Sequence, residues 1–145
     1  MVGEYEEGFI NFDDERERRG IQKPIRYPVT QETIDNILAN ELKDFNFQPY
    51  PVYKSNLRGA NGITRFIIYP WGQTKVTSIE IGKQDKPERK FLIDTLLHEY
   101  FEALILEKQH TEEYYAKLHK MADNKRHEWI NKQIIKFFDE MEGKQ

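Results

Sequence analysis

The stretch 92–106 constrains the fold of this chain most strongly, because its apolar residues fall on nearly every side of a helix. It reads LIDTLLHEYFEALIL. A surface helix shows a single apolar stripe, whereas a helix that is apolar all round is buried between other elements. Asp85 and Glu88 stand in capping-box spacing just before it. The sequence therefore predicts a central helix over about residues 86–107, with the remaining elements packed around it.

Patterns on either side of this helix predict an α+β fold. Thr30 is a predicted N-cap for a short first helix. The segment 49–54 has the prolines of a short edge strand, and 63–69 and 74–82 predict the two strands of a hairpin. Two further helices are predicted after residue 111, with a bend or break at Asp123-Asn124. We expect a small antiparallel sheet of about three strands, packed with the central helix and the C-terminal helices.

Length and local composition predict the domain organisation. The chain has 145 residues, of which 38% are hydrophobic and 32% charged, and this suits one compact domain. Residues 1–28 are rich in charge and are predicted to form an N-terminal arm, and 29–145 are predicted to form the single domain. No apolar run reaches the roughly 18–20 residues that span a bilayer, and the first residues lack a signal-peptide pattern. We expect a cytoplasmic protein without a membrane partner, with export as an effector left open.

Charge and cysteine content exclude several classes of function. The formal net charge of −3 and a pI of about 5.9 disfavour a protein that is held to nucleic acid by electrostatics. The chain has no cysteine, which excludes disulfides, thiolate ligands and cysteine nucleophiles. Histidine and carboxylate side chains must therefore hold any metal ion.

Three polar side chains interrupt the apolar helix and are the candidate functional residues. His98 and Glu102 are four residues apart, so their Cβ atoms project from one face about 5–6 Å from each other. Burying a carboxylate among apolar residues costs free energy unless a group of opposite charge lies beside it. A divalent cation is one such group. Glu99 lies roughly 100° further round the helix, where it can hold a water molecule and act as a general base.

Three histidines are candidates for a third ligand. His127 precedes Ile130 and Ile134 by three and seven residues, which places it on an inward helix face and makes it the first choice. His119 is the alternative, since it shares a face with His127 if the helix is continuous. His110 falls in a turn between helices and is expected at the surface.

The pattern His98-Glu99-x-x-Glu102 resembles the active-site helix of the zincin metallopeptidases, His-Glu-x-x-His. The resemblance covers roughly residues 63–140. It implies zinc held by His98, Glu102 and His127, Glu99 as the catalytic base, and a peptide or protein substrate. Glu102 stands where the family has its second histidine, and a carboxylate there neutralises more of the zinc charge. The resemblance also implies a minimal zincin-like domain in which the strand 74–82 pairs with an extended peptide.

Two alternatives to a peptidase are left open by the sequence. The extension Glu102-Ala103, followed later by His127-Glu128-Trp129-Ile130, is also similar to small zincin-like proteins of phages and mobile elements. This resemblance implies, as the alternative, an accessory or interaction protein with a structural or relic metal site. Without a metal, the same acids would form a buried salt-bridge cluster in which Arg126 or Lys90 replaces the ion. The sequence does not predict the oligomeric state.

Overall fold

The structure is a computed structural model that describes residues 29–86 and 88–143. The predicted arm, residues 1–28, lies outside the described residues. In chain order the elements are α1 (Gln31–Ala39), β1 (Val52–Lys54), β2 (Gly62–Ile68), β3 (Thr74–Ile81), α2 (Arg89–Lys108), α3 (Glu113–Lys120) and α4 (Asp123–Gly143). Within the described ranges, four helices and one three-stranded sheet confirm the predicted α+β class.

The sheet is mixed, and the prediction of an antiparallel sheet is wrong for β1. The strand order is β1-β3-β2, with β2 antiparallel to β3 and β1 parallel to it. The loop 55–61 carries the chain across the C-terminal end of β3, so β2 pairs on the far side and runs back. Backbone hydrogen bonds fix this crossing, from Ser55 N to Ile81 O and from Gly82 N to Asn61 O, each 2.9 Å long.

The central position of β3 overturns its predicted role as a peptide-binding edge strand. β1 pairs with its last three residues, and β2 pairs with its other side. Before the start of β1, side chains of α2 and of the turn that follows it accept hydrogen bonds from the free amides of β3: Val76 N donates to Glu107 Oε2 (2.7 Å) and Thr74 N to His110 Nε2 (2.8 Å). The edge strands of the sheet are therefore β1 and β2.

Helix α2 is the predicted central helix. It contacts β2, β3, α3 and α4, which explains why its apolar residues face in every direction. Its buried residues are Leu92, Ile93, Leu96, Leu97, Glu99, Tyr100, Ala103, Leu104 and Ile105. All but Glu99 belong to one hydrophobic cluster that also includes residues of α1 and the sheet. No helix within the described residues combines the length and apolar character needed to cross a membrane.

The start of α2 differs from the sequence prediction. The helix begins at Arg89, and the N-cap residue Glu88 makes no side-chain capping bond, so the predicted capping box does not form. The side chain of Gln84 donates to Asn61 O (2.9 Å) and Gly82 O (2.8 Å). These two bonds tie the chain to the end of the sheet, and the helix begins only after this anchor.

The break between α3 and α4 also lies earlier than predicted. Met121 has extended backbone angles (φ −68°, ψ 155°), and α4 begins at Asp123 instead of after a bend at Asp123-Asn124. Two histidines that a continuous helix would align, His119 and His127, therefore lie on different helices.

Candidate metal centre

Three potential metal ligands converge where α4 packs against α2. His98 and Glu102 project from α2 and His127 from α4, and one ligand atom of each lies within 4.8 Å of the other two. Glu102 Oε2 is 4.0 Å from His127 Nε2, and the two imidazole centroids are 5.3 Å apart. Ligand atoms bound to one tetrahedral zinc ion lie roughly 3.3 Å apart, given bonds of about 2.0–2.2 Å. A modest contraction of three half-buried side chains would bring them onto one ion.

Local helical geometry and one tertiary contact assemble this group. His98 and Glu102 share a face of α2 because they are one helical turn apart. His127 reaches them because α4 buries Ile130 and Ile134 on the same side of the helix. His119 does not join the group, since the chain breaks at Met121. Among the described residues, no other set of three or more histidine and carboxylate side chains is close enough to hold an ion.

The electrostatic setting of His98 suits a metal ligand. Burial lowers the pKa of His98 below its ordinary value, although Glu102 and Asp94 act in the opposite direction. The imidazole is therefore neutral at physiological pH. A neutral imidazole offers the lone pair that metal coordination requires.

Among the described residues, Arg126 forms an ion pair with the candidate ligand Glu102. Its Nε lies 3.4 Å from Glu102 Oε1, and its Nη2 lies 2.5 Å from Asp123 Oδ1. Lys90, the other cation considered from the sequence, is 3.9 Å from Glu88 and forms no ion pair with the ligand group. One oxygen of Glu102 thus faces Arg126 and the other faces His127. The guanidinium offsets part of the charge that the carboxylate adds to the site, as outer hydrogen-bonding partners of metal ligands do.

Glu99 lies beside the ligand group and faces β2. It is 8% exposed, and the Thr64 hydroxyl donates to its Oε1 (2.8 Å) and also contacts its backbone oxygen (3.2 Å). Burial raises the pKa of Glu99 to about 7, with the hydrogen bond from Thr64 opposing and the charge of Glu102 adding to the shift. A carboxylate with a pKa close to neutrality can both accept and release a proton, which is what a general base needs.

The raised pKa of Glu99 predicts a pH dependence of stability in the metal-free protein. The pKa is about 7 in the folded chain against 4.5 for the free side chain, so the folded state retains its proton where the unfolded state has lost it. Folding is therefore penalised increasingly as the pH rises from 4.5 to 7, by about 3 kcal/mol in total.

Urea unfolding of Glu99→Gln and wild type without metal tests this prediction. The variant should gain free energy of unfolding relative to wild type between pH 4.5 and pH 7.5. A difference between the two proteins that stays constant with pH would contradict it.

Gly62 allows β2 to approach α2 closely at this point. A Cβ atom on Gly62 would lie 2.8 Å from Thr95 Cγ2 and 3.1 Å from Glu99 Cγ. Thr95 is not free to move away, since its hydroxyl donates to Gln84 Oε1 (2.7 Å) and to Phe91 O (3.0 Å).

We expect Gly62→Ala to destabilise the fold by about 1–3 kcal/mol, the usual cost of overpacking. The free energy of unfolding in denaturant measures it. Gly143→Ala is the matched control, because an added Cβ there meets no atom within 4 Å. Equal stabilities of the two variants would contradict the close packing of β2 on α2.

Two cavities flank the Glu99 carboxylate. One of about 420 Å³ lies against the first half of α2, where Asp94 and His98 line it. The other, of about 460 Å³, lies against the second half and is lined by Phe66 and Arg126 among others. Gly62 and Glu99 line both, so the cavities adjoin each other at the candidate base.

Sequence reasoning missed Gly62 and Thr64, the two residues of β2 that contact Glu99. Their side of the strand is set by the register of β2 on the sheet and by the packing of the sheet on α2. Neither is encoded in the local pattern of the strand. A glycine at the start of a strand was the available signal, since it often marks a close approach of backbone and side chain.

Comparisons of this chain with protein-family models, with curated proteins and with solved structures found no match. Support for a functional assignment therefore comes from the residues of the site, their spacing on α2 and their geometry.

Proposed function

We propose that this chain is a zinc-dependent hydrolase of peptide bonds. The observation that carries the proposal is the convergence of His98, Glu102 and His127 within 4.8 Å, directly beside the buried Glu99. The resemblance of the α2 motif to the zincin helix adds to this geometry. Three protein ligands would leave one coordination position for water or substrate, as in catalytic zinc sites.

The chain's own residues then divide the chemical work. When bound, a zinc ion would polarise the scissile carbonyl and lower the pKa of a water molecule. Glu99 Oε2 takes the proton from that water, because the hydroxyl of Thr64 occupies Oε1. The same oxygen passes the proton to the leaving amine. The burial of Glu99 supports this exchange, since it brings the pKa of the carboxyl near neutrality.

Strand β2 is the proposed docking edge for the substrate. It pairs with β3 on one side only, and within the described residues no strand pairs with its other side. It also lies next to the base, as the bond from Thr64 to Glu99 shows. An extended peptide added to β2 by main-chain hydrogen bonds would pass across the Glu99 carboxylate.

Zinc analysis and a cleavage assay on the full chain, purified without an affinity tag, test the proposal. We expect near-stoichiometric zinc and hydrolysis of an unfolded protein substrate. A chelator should abolish the hydrolysis and added zinc should restore it. The absence of zinc binding at micromolar concentrations would overturn the proposal.

The contact between Arg126 and Glu102 favours a second candidate, a non-catalytic interaction module. In that case the guanidinium supplies the positive charge that the hydrolase would take from a metal. Thermal unfolding with and without zinc separates the two. A ligand that binds only the folded state raises the melting temperature, so the hydrolase should be stabilised by zinc and the module should not.

A further inference from the structure

A cavity beside His98 is lined by two aspartates, Asp85 and Asp94, that the proposed chemistry does not use. This cavity of about 420 Å³, which we name the Asp94 cavity, lies between the first half of α2 and the loop that precedes the helix. Glu99, the candidate base, lines it as well. Its volume falls within the range of small-molecule sites. It opens next to the ligand His98, so a group bound there would lie beside the reacting bond.

In this cavity Asp94 interacts with Lys86 and His98 through charge, at longer range than an ion pair. Its side chain is half-buried and makes no hydrogen bond or ion pair with any described residue. Lys86 is the one basic side chain among the described residues of the lining, and its Nζ lies 4.7 Å from the centre of the Phe91 ring. Lys86 is exposed and forms no ion pair with Asp94 within 4 Å. Within the described residues, Lys86 compensates the charge of this half-buried carboxylate only at long range, so a cation in direct contact with Asp94 would stabilise it further.

The position of Asp94 relative to His98 restricts which cation fits. The two residues are four apart on α2, so their Cβ atoms lie about 5–6 Å from each other on one helix face. In a peptide, the α-ammonium group is separated from its own carbonyl carbon by a single carbon atom. A substrate whose carbonyl is held at the His98 site can therefore place an adjacent ammonium group at Asp94.

We propose that the Asp94 cavity binds an ammonium group of the substrate next to the scissile bond, with Asp94 as its counter-ion. This inference rests on the proposed hydrolase function and names its substrate class, a peptide that carries positive charge at that position. The single-carbon spacing favours a free amino terminus as the source of the charge, and a lysine side chain, which carries the same ammonium group on a longer arm, is the other source that the test distinguishes. Asp94 is then a specificity-determining residue.

Three hydroxamates test the inference on the zinc-loaded full chain by calorimetry, because a hydroxamate chelates zinc without being hydrolysed. Leucine hydroxamate carries a free α-ammonium, Nα-acetyl-lysine hydroxamate carries only the side-chain ammonium, and Nα-acetyl-leucine hydroxamate carries neither. We expect one of the two cationic probes to bind about 10-fold to 100-fold more tightly than the neutral one. Which of them gains identifies the source of the charge.

The variant Asp94→Asn should remove this preference and leave the affinity for zinc itself unchanged, while Asp139→Asn, at an exposed position of α4, should keep it. Equal affinities for all three probes would overturn the inference and leave the hydrolase proposal intact. A loss of zinc affinity in Asp94→Asn would also overturn it, since Asp94 would then orient His98. If the wild-type chain binds no zinc, the hydrolase proposal and the inference fall together.

Discussion

Glu99→Gln is expected to lower kcat/KM for peptide hydrolysis by about 10²–10⁴ while the bound zinc stays at the wild-type level. The amide keeps an oxygen that can accept the hydrogen bond from Thr64, so the packing against β2 is retained. It has no basic oxygen to take a proton. Steady-state kinetics and zinc analysis on the same preparation measure the two quantities.

Glu128→Gln is the matched control for this prediction. It makes the same chemical change at an exposed position of α4, where the side chain lies 3.9 Å from Lys125. The control should retain full activity and full zinc. Hydrolysis at the wild-type rate in Glu99→Gln would show that Glu99 is not the base, even if zinc were bound.

His98→Ala is expected to weaken zinc binding by more than about 100-fold, and His127→Ala should have a similar effect. Loss of an outer partner of a metal ligand already costs about 10- to 100-fold, and loss of a ligand costs more. Burial keeps His98 neutral, so its imidazole needs no deprotonation before it binds. Competition titration against a chromophoric chelator measures the affinities.

His119→Ala separates the two candidate third ligands. The side chain lies on α3, outside the ligand group, although it lines the neighbouring cavity with Arg126. The variant should keep the zinc affinity of the wild type. If His119→Ala lost zinc affinity and His127→Ala kept the zinc affinity of the wild type, the site would assemble differently from the geometry described.

The sequence predicted those helices and turns that are determined by residues close to one another along the chain. Thr30 caps α1 as expected, since its side chain accepts a hydrogen bond from Thr33 N. The hairpin forms at Gly72, whose φ of +92° few other residues adopt. The central helix follows from its apolar periodicity. The parallel pairing of β1 did not follow, because it depends on how the loop 55–61 crosses the sheet.

The candidate site was also predictable from the sequence only in part. The i, i+4 spacing of His98 and Glu102 fixes their shared helix face, and the spacing of His127 from Ile130 fixes its inward direction. The sequence suggested Arg126 only as a cation that takes the place of a metal. In the structure Arg126 contacts one carboxylate oxygen of Glu102, and the other oxygen faces His127. Asp94 forms no close ion pair with another described residue, and this depends on the β3–α2 loop and on α2 together. No periodicity within a single element encodes such an arrangement.

An anomalous-scattering map at the zinc absorption edge, from crystals of the untagged protein grown with zinc, tests the central claim most directly. We predict one peak between α2 and α4, at about 2.0–2.2 Å from a nitrogen of His98, an oxygen of Glu102 and a nitrogen of His127. A map without a peak there, in which the Arg126 guanidinium takes both oxygens of Glu102, would contradict the metal centre and with it the hydrolase.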